Sequence, residues 1–234
     1  MTDRSWREAR DGLRDILPPL IAAMPIGLLF GALCAAKGLS PLEVFLMSAL
    51  VFAGGAQFAA VEVWTWPVPV AALAFSTLLI NARHVLMSAS LGPKTGAFGR
   101  LGRLLGFAVL ADENWALSER RAAVRPLTWA YYAGMGAPFW ANWVIVTTVG
   151  AYAGSFLGDP KAIGADFAFT ALFIGLVAGF WKGRATLITV AASAGAAALV
   201  HVLVGPPWHV AAGALAGIGA AFLAAEPQEA GQRA

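Results

Sequence analysis

Apolar residues run along this chain in long uninterrupted blocks, with the charges gathered between them. No Asp, Glu, Lys or Arg occurs from Ile16 to Ala36, from Leu127 to Leu157 or from Ala185 to Ala225. Each block meets or exceeds the roughly 20 apolar residues that carry a helix across a bilayer core. Eight such segments can be marked: 16–36, 41–63, 67–91, 104–119, 127–157, 161–181, 185–204 and 208–225. The pattern predicts an all-α polytopic membrane protein, a bundle of about 7–8 transmembrane helices. The fourth segment is short and carries Asp112 and Glu113, which suits a half-helix or a tilted one. Residues 1–15 read as a cytoplasmic juxtamembrane helix anchored by Trp6, residues 16–225 as the transmembrane transporter domain, and 226–234 as a disordered tail.

Two local features change this picture. Phe52-Ala53-Gly54-Gly55-Ala56-Gln57-Phe58 lies in the middle of a spanning segment. Adjacent glycines weaken a helix by about 1 kcal/mol each, so a broken helix is expected at 53–57. Its new N-terminus would offer backbone N–H groups to a carboxylate. The bland alternative is a close-packed glycine contact with Gln57 bonded to a neighbouring helix. A second feature is a hint of repetition between 16–120 and 127–225. Gly27–Gly54 and Gly150–Gly179 share a pattern, and each is followed by a His-Val-Leu triplet, at His84 and His201. Glycine pairs four apart (Gly27/Gly31, Gly102/Gly106, Gly150/Gly154, Gly175/Gly179, Gly213/Gly217) point to close helix packing within the bundle.

Composition agrees with the pattern. The chain is 59% apolar and 12% charged, where a soluble domain carries about a quarter of charged residues. The net charge of +3 does not signal nucleic acid, because the basic residues form short collars between apolar blocks. With every segment spanning and the N-terminus inside, Arg4, Arg7, Arg10, Arg14, Arg120, Arg121, Arg125, Lys182, Arg184 and Arg233 share the cytoplasmic face. The loop bearing Lys94, Arg100 and Arg103 then falls outside, against the positive-inside rule. A re-entrant or broken segment before it would repair the count. Both termini are expected in the cytoplasm.

Rare polar groups inside apolar segments carry the chemistry, since they are costly unless paired or facing water. Asn81, Arg83 and His84 sit deep in one segment. Arg83 keeps its proton and needs an anion, unless it snorkels to a membrane face. Asp112 and Glu113 are the candidate partners. Their side chains leave a helix about 100° apart, so one of them at most meets Arg83 directly. The other is left to stay protonated, hold a substrate ammonium or relay protons, and the bland alternative is a purely structural ion pair. Asn142, Thr147, Asp166 and His201 form a scatter without an evident common role. The chain shows no nucleotide motif, no metal-ligand spacing and no nucleophile frame. No enzyme activity, cofactor or metal is expected.

The strings Pro25–Gly31 (PIGLLFG), Gly38–Glu43 (GLSPLE), Val51–Phe58 (VFAGGAQF), Leu79–His84 (LINARH) and Asp112-Glu113 resemble the AzlC family, the large subunits of bacterial branched-chain amino-acid exporters. The resemblance is densest over 20–120. It implies an inner-membrane exporter of neutral amino acids coupled to protons, with a small hydrophobic AzlD-like membrane subunit as partner. By analogy, substrate binding falls to Phe52, Gly54, Gly55, Gln57, Phe58, Asn81 and Arg83, and coupling to His84, Asp112 and Glu113. The rival readings are a non-transporting membrane scaffold and an intramembrane hydrolase.

Overall fold

A computed structural model describes residues 3–157, 183–205 and 208–224, with Ile174, Val177, Ala178 and Trp181 in between. The described residues are helical and contain no strand. They divide into two compact units, one formed by residues 1–69 and 80–169, the other by 70–79 and 170–234. Much of the segment expected at 161–181, with Asp166 and most of the second copy of the suggested repeat's turn, lies outside the described residues, as does the tail from Glu226.

In the first unit, α1 (Asp3–Ala36) runs unbroken from the charged N-terminal stretch into the apolar span, through Pro18, Pro19 and Pro25. It packs along α8 (Trp129–Leu157). Ala9 lies opposite Gly134, Leu28 opposite Gly150 and Ala32 opposite Gly154, so the two helices are parallel. An added Cβ on Gly31 would lie 2.5 Å from the Ala151 nitrogen, and one on Gly150 would lie 2.8 Å from the Leu28 Cα. Glycine at these places lets the backbones touch, which is how helices associate where no hydrophobic effect draws them together.

The segment 41–63 is not one helix. Ser40 caps α2 (Pro41–Val51): its hydroxyl accepts from the Glu43 N–H at 3.3 Å, and Glu43 answers by accepting from the Ser40 N–H at 2.7 Å. Phe52 then enters the left-handed region at φ 41°, and the helix restarts as α3 (Gly54–Glu62). The break expected at 53–57 is therefore present, with its turn at Phe52-Ala53. Eleven and nine residues reach about 16 and 14 Å, half a bilayer core each. Both outer ends lie together: Lys37 Nζ donates to the Glu62 carbonyl at 3.3 Å, and Trp66 Nε1 donates to the Lys37 carbonyl at 3.3 Å. The pair is a re-entrant hairpin, entering and leaving at the same end of the unit.

A second hairpin enters from the other end. α6 (Gly99–Ala108) runs parallel to α8, with Gly102 against Trp129 and Gly106 against Tyr132. The chain turns at Val109–Ala111, beside Gly136, and α7 (Asp112–Ala122) returns to the level of the α1 N-terminus. There Arg121 pairs with Glu8 at 2.7 Å and stacks over the Tyr131 ring, while Thr128 donates to Glu8. Between the hairpins, α4 (Val70–Asn81) gives way to α5 (Arg83–Leu91), whose C-terminal end lies beside α7, with Ser90 donating to Glu119 at 3.0 Å. A short 3-10 turn, Gly92–Phe98, follows, and its Lys94 pairs with Glu119.

This arrangement revises the charge count. The loop holding Lys94, Arg100 and Arg103 lies at the same end as Arg121 and the arginines of α1. Lys37 lies at the opposite end. The segment 41–63 turns back, so the chain changes ends one time fewer before residue 94 than a run of straight spans requires.

In the second unit, α9 (Arg184–Leu203) and α10 (Trp208–Ala224) lie antiparallel, with Gly213 against Ala197 and Gly217 against Ser193. Phe75, from the first part of α4, packs on Trp208 at 5.1 Å.

Candidate functional site

The first hairpin tip ends against the middle of α8, and the second against its N-terminal part. Gly54 of the first faces Trp143, and Val109 of the second faces Gly136. Those levels are seven residues apart, about 10 Å along the helix axis. Residues singled out in the sequence fall into two groups, one at each tip.

At the first tip, Phe52 packs edge-on against Phe139 at 6.1 Å, and Phe58 does the same against Phe30 at 5.1 Å. Gly54 and Gly55 form the first turn of α3, which no side chain caps. Its leading N–H groups and the positive end of the helix dipole are left at the hairpin tip, beside Trp143 of α8. Gln57 is wholly buried and both ends of its amide are committed. Its Oε1 accepts from Trp143 Nε1 at 2.9 Å, and its Nε2 donates to Ser48 Oγ at 3.2 Å. Thr147 Oγ1 donates to the same Ser48 oxygen at 2.8 Å. Gln57, Ser48, Thr147 and Trp143 thus tie α2 and α3 to each other and to α8. Ser48 and Trp143 carry no signal in the sequence beyond a polar atom in an apolar run.

At the second tip, Arg83 Nη1 meets Asp112 Oδ2 at 2.7 Å. Of the two neighbouring carboxylates, Asp112 takes the guanidinium, and Glu113 is in no ion pair among the described residues. The pair is open: the side chains are 40% and 47% exposed. Arg83 Nε and Asn81 Oδ1 are nonetheless buried without a hydrogen-bond partner among the described residues. His84 Nδ1 lies 3.3 Å from the Asn81 carbonyl. The turn leading to Asp112 is closed by Asn114, a residue the sequence placed beside the acidic pair without a role.

Asn142 donates to the Leu20 carbonyl of α1 at 3.3 Å, so of the scattered polar residues it and Thr147 serve helix packing. His201 packs on His209 in the second unit, with ring centres 5.1 Å apart. Neither His84 nor His201 is hydrogen-bonded to a serine among the described residues.

A family model described as AzlC protein matches residues 18–157. Inner membrane protein YgaZ of Escherichia coli (strain K12) is 29% identical, over 88% of this chain and 86% of that protein. An uncharacterized membrane protein of Archaeoglobus fulgidus is 31% identical, over 89% of this chain and 91% of its own length. The branched-chain amino acid transport protein AzlC of Bacillus subtilis is 27% identical, over 72% of this chain and 66% of that protein. No solved structure matches the chain with significance.

Proposed function

The chain belongs to the AzlC family, and from that premise we propose that it exports branched-chain or similar neutral amino acids across the bacterial inner membrane. The observation that carries this reading is an exposed ion pair at the tip of the second hairpin, Arg83–Asp112, beside Glu113, which is in no ion pair among the described residues. Charges inside a membrane protein are untenable against lipid and persist where they face water or other protein. The Arg83–Asp112 pair is 40% and 47% exposed. It opens beside the tip of a hairpin that does not cross the bilayer, a setting suited to a solute held part-way through.

In this reading the substrate carboxylate binds Arg83, with Asn81 beside it, or the open N-terminus of α3 at Gly54 and Gly55. The ammonium binds Glu113 or Asp112. Phe52 and Phe58 supply apolar walls, and Gln57 holds α3 in place from behind. Glu113 and His84 carry the coupling protons. The end of the bundle with the arginine-rich α1 faces the cytoplasm, in keeping with the positive-inside rule. A small hydrophobic AzlD-like membrane subunit completes the transporter.

The test is efflux of preloaded isotopic leucine, valine and methionine, with a charged amino acid as control. The chain is expressed alone and together with its genomic neighbour. The neutral amino acids are expected to leave faster than from control cells, and Arg83→Ala to lower that rate by more than about tenfold at equal protein level. Unchanged efflux from well-expressed protein in both settings would favour the scaffold reading instead.

A further inference from the structure

The turn between α6 and α7 leaves backbone groups that no helical bond satisfies, packed beside Gly136 of α8. One side chain answers two of them. Asn114 Nδ2 donates to the Val109 carbonyl at 2.7 Å, and Asn114 Oδ1 accepts from the Ala111 N–H at 2.9 Å. The residue is wholly buried, lodged against α8 at Gly136, where an added Cβ would stand 3.7 Å from Nδ2. The two bonds bracket the residues immediately before Asp112. They therefore set the first turn of α7, and with it the direction in which Asp112 leaves the helix towards Arg83.

We propose that Asn114 is a positioning residue for the Arg83–Asp112 pair. It pins the Val109–Ala111 turn so that Asp112 occupies the guanidinium and Glu113, one residue on, remains available to the amino group of the substrate. The inference rests on the transporter reading of that pair. The chemistry asks for one donor and one acceptor on a short planar group. Asp lacks the donor, Ala lacks both, and Gln places its amide one methylene further out than this contact with α8 accommodates.

The experiment measures leucine transport kinetics and thermal stability for the full chain with its membrane partner, if transport requires one, in proteoliposomes. The set is Asn114→Ala, Asp112→Glu, the double variant and Arg83→Ala. Asn114→Ala is expected to raise the KM for leucine about tenfold with a much smaller change in maximal rate. The double variant is expected to be no worse than the more affected single one, because both changes act on one geometry. A wild-type KM in Asn114→Ala, or KM effects that multiply in the double variant, overturns the positioning role while Arg83→Ala stays inactive. Wild-type transport by Arg83→Ala instead removes the reading of that pair as the substrate site, and no leucine transport by the unmodified protein removes the transporter reading itself. Should Asn114→Ala fail to reach the membrane, Asn114→Asp carries the same test. It keeps the size and the bond to Ala111 but in its ionised form cannot donate to Val109, and the same two outcomes, read at a pH where the carboxylate is ionised, decide.

Discussion

Where α1 and α8 touch, a single methyl group is too much. A Cβ on Gly31 would fall within clash distance of the Thr147 carbonyl and 2.7 Å from the Gly150 carbonyl carbon, both fixed backbone atoms. Relief requires the helices to part, and overpacking of this kind costs about 1–3 kcal/mol. Gly31→Ala is therefore expected to lower the thermal midpoint of the purified protein by several degrees. Gly195→Ala on α9 has nothing within 4 Å of the new methyl and should leave the midpoint equal or slightly higher, since Ala favours helix by about 1 kcal/mol. Equal losses in the two variants would remove the close-contact explanation. At this scale the sequence is readable: Gly27/Gly31 and Gly150/Gly154 stand out by their spacing, and the structure presses these two pairs into one interface. Asn114, Ser48 and Trp143 are not readable in the same way. A lone Asn or Ser in an apolar run is ambiguous until its partner is known, and Trp143 meets Gln57 from 86 residues away.

At the scale of elements, the half-helices depend on polar bonds that hydropathy does not register. A stretch of 23 mostly apolar residues has the same profile whether it crosses or turns back. The glycine pair signals the break, but the reversal comes from Phe52 at φ 41° and from the bonds that hold α3 beside α2. Gln57 is the centre of those bonds. Gln57→Leu keeps much of the volume, leaves Trp143 Nε1 without its acceptor, and removes a donor from Ser48, which retains Thr147. An unsatisfied buried donor costs about 1–3 kcal/mol. The expected result is a lower thermal midpoint together with weakened transport, and Gln57→Glu, which keeps an acceptor for Trp143, should lose less of both if the glutamate is held protonated. Unchanged stability in Gln57→Leu would mean that packing against Phe30 and Trp143 suffices to hold the hairpin.

For the molecule as a whole, the two hairpins decide which loops share a side of the membrane. Straight spans at 16–36, 41–63 and 67–91 would leave residue 37 and residue 96 on one side, each an even number of crossings from the other. With 41–63 folded back on itself, one crossing remains between them, and the two positions face opposite sides. The charges favour the second arrangement, since Lys94, Arg100 and Arg103 then join the arginines of α1 and α7, and Lys37 stands apart. The single cysteine, Cys34, is buried, so a Cys34→Ser background accepts one reporter at a time. Gly96 has no atom within 4 Å of an added Cβ, and Lys37 is exposed, so Gly96→Cys and Lys37→Cys disturb little. Lys37→Cys gives up the Nζ bond to the Glu62 carbonyl but keeps the backbone bond from Trp66. A membrane-impermeant maleimide applied to intact spheroplasts is expected to label Lys37→Cys at once and Gly96→Cys only after permeabilisation. Labelling of both from outside would restore a straight crossing at 41–63 and detach the Phe52-Ala53 turn from its place at half depth. Opposite sidedness would fix the first hairpin as re-entrant and bring the basic loop to the cytoplasm, where the second hairpin, carrying Asp112 and Glu113 at its tip, begins.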